Sequence, residues 1–137
     1  MDNKITTKFV LGLLVTILSI YLFFIFKFIK PVYYWIDNPL HIAGGIWVAA
    51  FTLWFLERYQ DGLFLKHGKL VPFLFVLGMA SLVGISWELF EFFYDQTVGG
   101  FLGGELISQP SIVDTMKDFV NNLSGALFFW GVYLLRK

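Results

Sequence analysis

A chain of 137 residues is one domain by length, and its ten basic residues equal its ten acidic ones, so no global charge points to a nucleic-acid partner. Hydrophobic residues make up 58% and charged residues 15%, against about 25% charged in soluble domains, and the mean hydropathy is +0.72. The chain therefore reads as a membrane protein. The absence of cysteine excludes disulfides, thiolate metal sites and thiol nucleophiles, which leaves oxygen and imidazole ligands for any chemistry.

A bilayer core of about 30 Å takes roughly 20 apolar residues per helix. That ruler gives four membrane-spanning helices in one all-α bundle, at about 9–28, 40–57, 71–95 and 113–135. The first contains "FVLGLLVTILSIYLFFIF". It exceeds the apolar core of a signal peptide and no small-residue cleavage site follows it, so a retained helix is expected. The second starts after "DNP", where a proline at the first helical position favours a beginning, and the third opens with Pro72. Residues 96–112, with four glycines and Pro110, read as an irregular or re-entrant loop in which Glu105 is a further acid.

Basic residues set the orientation. Lys4, Lys8, Arg58, Lys66, Lys69, Arg136 and Lys137 fall on one face, while only Lys27 and Lys30 fall on the other, which puts both termini in the cytoplasm. The outward ends of helices 2, 3 and 4 are then where the polar residues gather. His41, four residues after Asp37, opens the second helix; Glu88, Glu91 and Asp95 close the third; Asp114, Asp118, Asn121 and Asn122 open the fourth.

At about 100° per residue, Glu88, Glu91 and Asp95 share an arc of roughly 60° with Gly84 and Ser81, and Asp114, Asp118, Asn121 and Gly125 share a similar one. Small residues let helices approach closely in lipid, so the two acidic stripes are expected to face each other. An ionised carboxylate near the membrane centre costs at least about 2.5 kcal/mol even on insertion scales. The six carboxylates have one cation nearby, Lys117, which lies off the stripe. Either several are protonated, or a cation sits among them. Carboxylates with one imidazole suit magnesium, manganese, calcium or zinc. The expected metal ligands are Glu88, Glu91, Asp95, Asp114 and Asp118, lined by Asn121 and Asn122, with His41, Asp37 and Glu91 as catalytic groups.

Plainer readings stand beside these. The acids can form a polar network that only fixes packing, with protonated carboxyls donating to Asn121 or Asn122. Asp114 can serve the first turn of its helix, and His41 can satisfy its ring against Asp37. Gly44 and Gly45 point first to close helix packing.

The same residues resemble a known signature. "DNPLHIAGG", "WELFEFF" and "DFVNNLSGAL" look like the motifs of VanZ-like small bacterial membrane proteins, over about residues 37–130. Glu91 stands where the glycopeptide-resistance members would have Gln, and Asp95 and Asp114 look closer to a related bacterial branch. The resemblance implies a bacterial cytoplasmic membrane and, in some members, glycopeptide tolerance. It implies no particular reaction.

The leading expectation is a divalent-metal-dependent hydrolase or transferase acting at the outer leaflet on a lipid or lipid-linked phosphate. A proton- or cation-coupled transporter is the second, although "VPFLFVLGMA" and "ALFFWGVYLL" offer no continuous polar path unless an oligomer of this chain supplies one. A non-catalytic protein that binds an envelope lipid or a drug is the third. Membrane lipids are the expected partners in each case.

Overall fold

In lipid every backbone N–H and C=O must be satisfied within the segment, and the helix does so residue by residue. The computed structural model describes residues 4–27, 30–59, 68–99, 108 and 111–136. It holds four α-helices, α1 (Thr7–Lys27), α2 (Lys30–Tyr59), α3 (Leu70–Tyr94) and α4 (Ile112–Leu135), and no strand among those residues. Side-chain hydroxyls on the helices turn back on the preceding turn: Thr16 on Gly12 O at 2.9 Å, Thr52 on Val48 O at 2.7 Å, Ser86 on Leu82 O at 2.7 Å and Ser124 on Val120 O at 2.7 Å. These four hydroxyls are spent locally and offer no nucleophile to a site.

Two boundaries differ from the sequence reading. α2 begins at Lys30 rather than near residue 40, and Pro39 lies inside it. Proline has no N–H to give the carbonyl four residues back, yet such gaps are tolerated in apolar helices packed against neighbours. α3 does not give way to an irregular loop at residue 96. It loosens into a π-helical turn, Asp95–Gly99, in which the Asp95 N–H reaches both Glu91 O and Phe92 O. The rest of the expected loop, Glu105 included, lies outside the described residues except Ser108.

The helices alternate in direction. The backbone N–H of Ile5 donates to Glu57 Oε2 at 3.1 Å, the Tyr133 hydroxyl donates to Glu57 Oε1 at 2.9 Å, and Phe73 packs at a tilt against Trp130 with ring centroids 5.6 Å apart. The start of α1, the end of α2, the start of α3 and the end of α4 thus share one end of the bundle. α2 and α4 pack most extensively, α3 lies against both, and the backbone of α1 comes close to α2, with Phe9 stacked on Phe129 of α4 and Tyr21 edge-on to Trp87 of α3. The buried core runs through Val48, Ala49, Ala50, Leu53, Val76, Ala80, Ala126 and Phe129. Thr7–Phe24, Ile36–Tyr59 and Leu70–Thr97 are long and apolar enough to cross a membrane; α4, with Asp114, Lys117 and Asp118 in its first two turns, is the helix outside that set.

Candidate metal centre

Three glycines bring α2, α3 and α4 together about halfway along the bundle. A Cβ at Gly45 would overlap the backbone carbonyl of Asn122, one at Gly125 would overlap the carbonyl of Ile42, and one at Gly84 would press on the Asn122 amide. Asn122 is 4% exposed and its amide donates to Ala80 O at 2.8 Å. It therefore ties α4 to α3 across a junction that only glycine permits. Gly44 differs from its neighbour: nothing lies within 4 Å of where its Cβ would be. The close packing expected of the Gly44–Gly45 pair belongs to Gly45.

This junction sets the acids above it against one another. His41, Glu88, Glu91 and Asp118 are buried, at 9%, 7%, 3% and 2% exposure. Ligand atoms of His41, Glu88 and Glu91 all lie within 4.8 Å of one another, and so do ligand atoms of Asp37, His41 and Asp118. The two groups share His41, whose Nε2 lies 3.5 Å from Asp37 Oδ1. α2 supplies Asp37 and His41 one turn apart, α3 supplies Glu88 and Glu91 one turn apart, and α4 supplies Asp118. Asp118 Oδ1 is buried and has no hydrogen-bond partner. A buried carboxylate oxygen without a donor carries its full desolvation cost.

The spacing suits a cation. Magnesium and zinc bind oxygen and nitrogen at about 2.0–2.2 Å and calcium at about 2.3–2.6 Å, so ligands across one ion stand roughly 4–5 Å apart. Groups already within 4.8 Å need only small side-chain movements to close on it.

Other predicted residues go elsewhere. Asp95 Oδ1 accepts the backbone N–H of Ser108 at 2.8 Å. Asp114 pairs with Lys117 at 2.6 Å and its N–H donates to the Ser111 hydroxyl at 3.2 Å, so it serves the first turn of α4. Neither belongs to the two clustered groups. Asn121 donates to Asn38 Oδ1 at 2.7 Å and joins α4 to α2 beside the cluster. Asn121 and Asn122 thus have partners other than the carboxyls. Asn38 carries a structural role that its place in "DNP" hid, since the proline drew attention to a helix start.

The sequence pattern of one family, described as predicted membrane protein (DUF2238), matches residues 3–137. The chain belongs to this family of membrane proteins. No curated protein and no solved structure matches the chain. With three helices apolar enough to cross a bilayer, this DUF2238 protein is a multi-pass membrane protein. The match shows a membrane-protein family and does not extend to the narrower VanZ-like resemblance, which therefore lends the site no support.

Proposed function

We propose that this DUF2238 protein is a divalent-metal-dependent hydrolase or transferase acting on a lipid or lipid-linked phosphate of a bacterial cytoplasmic membrane. The observation that carries this reading is the convergence of five ionisable side chains from three helices with the Asp118 Oδ1 atom buried and unpartnered. An ion bound where the two groups meet at His41, drawing on Glu88 and Glu91 from one and Asp118 from the other, would neutralise acids that otherwise repel, and His41 is the nitrogen donor the two groups share. The mixed donor set favours zinc or manganese over calcium.

In this scheme the cluster residues would hold the ion, which would supply Lewis-acid polarisation of a phosphoryl oxygen and a more acidic bound water. Where His41 is left off the ion, it would instead be kept in register by Asp37 and move the proton between the attacking water or hydroxyl and the leaving oxygen. Four spans, with α4 as the fourth, put the cluster on the outer side, because Lys4, Lys8, Arg58, Lys69 and Arg136 accompany the two termini at the other end. Transport is the weaker reading. The apolar core from Val48 to Phe129 lies between the cluster and Glu57, and the buried Thr52 in that stretch of α2 spends its hydroxyl on Val48 O.

The test is metal content of the protein purified in detergent, by plasma mass spectrometry, wild type beside Asp118→Ala and Glu88→Ala. One equivalent of a divalent metal in the wild type, lost in both variants, is the expected result. No metal in the wild type after incubation with zinc, manganese or magnesium would reject the proposal. His41→Ala then separates its two roles: metal lost marks a ligand, whereas metal kept with turnover of a lipid phosphate lost marks the proton carrier.

A further inference from the structure

α1 packs its backbone closely on α2 and meets the other helices through side chains such as Phe9 on Phe129. Among the described residues its backbone approaches α2 and makes no close approach to α3. The space left between α1 and α3 is a cavity of about 170 Å³. Leu14, Ile17 and Leu18 of α1 form one wall and Val83 of α3 the other, with Gly44 in its floor. Its polar end is made by Asp37, His41 and Asn122. Tyr21 and Trp87 meet edge to face across the gap, with centroids 5.2 Å apart and rings at 76°.

The chemistry of this space is that of an amphiphile. An apolar cavity of about 150 Å³ stays dry and takes up a molecule of benzene, so one slightly larger has room for a short run of methylenes and little affinity for water. The neighbourhood supplies such chains, because outward residues of α1 such as Leu11, Val15 and Leu22 are exposed on a helix suited to lipid. Gly44 keeps the floor open, and no helix contact requires it to be glycine. The polar end opens on His41 and Asp37, members of the candidate metal centre.

We propose that the cavity seats one hydrocarbon chain of a phosphate-headed membrane lipid, admitted from the bilayer between α1 and α3 past Tyr21 and Trp87. The seated chain holds the phosphate against the His41 cluster, an orientation that rests on the proposed metal centre because bare carboxylates would repel a phosphate. The chain seat itself rests on the cavity alone.

The experiment uses the full chain in nanodiscs of phosphatidylcholine carrying phosphatidic acid with a diazirine in one acyl chain. Illumination, digestion and mass spectrometry map the adducts, and metal content is measured on the same samples. The expected adducts concentrate on residues 14–21 and 83–87. They fall about tenfold in Gly44→Leu and in Val83→Trp, as expected when a seat for a few methylenes is filled, with metal content unchanged. Gly78→Leu, which adds a side chain into open space away from the cavity, leaves labelling at the wild-type level. Adducts spread over Leu11, Val15 and Leu22 and indifferent to both filling variants would overturn the seat, whatever the metal content. Gly44-dependent adducts in a protein that binds no metal would uphold the seat and reject the metal centre.

Discussion

The two ends of the bundle each carry buried or half-buried acid, and they treat it in opposite ways. At the end shared by the termini, Glu57 receives the Tyr133 hydroxyl on one oxygen and the Ile5 N–H on the other, so the charge is met by donors and the contact locks α1, α2 and α4 together. At the opposite end, His41 lies within reach of Glu88 and Glu91 on one side and of Asp37 and Asp118 on the other, and Asp118 Oδ1 has no donor. Packing differs in the same sense. Phe73, Phe129, Trp130 and Tyr133 fill the first end, whereas Gly45, Gly84 and Gly125, halfway along their helices, draw them together beneath the second. An acid that only fastens helices is met with donors; an acid left without one is held by close backbone packing elsewhere and remains open to a cation.

The largest effect should come from the glycines. Gly125→Ala places a methyl group on the Ile42 carbonyl, and Gly45→Ala places one on the Asn122 carbonyl, where only the backbone can give way. Overpacking of this kind costs about 3 kcal/mol or more. Either variant should lose folded, monodisperse protein or unfold far earlier in denaturing micelles. Gly131→Ala at the other end meets nothing within 4 Å and should leave stability unchanged or raise it by up to about 1 kcal/mol, since alanine is the better helix former. Equal behaviour of Gly125→Ala and Gly131→Ala would erase the contrast in packing.

Next in size is the response to metal. An ion present at a hundredfold excess over its Kd should stabilise the wild type by about 2.7 kcal/mol. Asp118→Asn should lose that gain entirely, and in chelator it should unfold no earlier than the wild type, because one charge leaves a group of like charges. Glu57→Gln should keep the full metal gain. Thermal unfolding in detergent, with and without zinc or manganese, measures both. A gain retained in Asp118→Asn would move the ion away from that oxygen.

Much of this contrast was legible in the sequence. Apolar runs against the thickness of a bilayer give α1, α3 and the body of α2, and helical spacing gives the meeting of Asp37 and His41 with Glu88, Glu91 and Asp118. Spacing could not sort the six acids into shared and private ones. Asp95 is taken by Ser108, a partner thirteen residues away across the glycine-rich segment, and nothing local announces it. The Asp114–Lys117 pair was within reach, since residues three apart on a helix are neighbours. Pro39 misled because a proline suits a helix start far more often than an interior, and only packing on α4 overrides that. The difference between Gly44 and Gly45 is purely tertiary, for both sit in the same "AGG".

A smaller effect tests the donor side of the comparison. Tyr133→Phe removes the hydroxyl from Glu57 Oε1 and keeps the ring stacked 5.9 Å from Trp130, so the loss should be that of one hydrogen bond to a charged group, about 1.5–3 kcal/mol. Metal content and the metal-dependent gain should stay as in the wild type, since the apolar core lies between the two ends. A fall in metal content would mean that the two ends are coupled.

The smallest effect belongs to the acids at the cluster's margin. Lys117 is 43% exposed along its side chain, and its 2.6 Å contact with Asp114 is an i, i+3 pair at a helix start. Surface pairs of this kind are worth about 0.2–1 kcal/mol. Lys117→Ala should therefore change stability by less than about 1 kcal/mol and leave metal content at one equivalent. Its companion is Ser111→Ala, which removes the cap on Asp114 N and should cost about 1 kcal/mol, again without touching the metal. The pair of variants asks whether Asp114 serves the helix or the ion. If Asp114 ligated the ion, freeing it from Lys117 would raise metal affinity. Unchanged affinity in both variants confines the site to Asp37, His41, Glu88, Glu91 and Asp118.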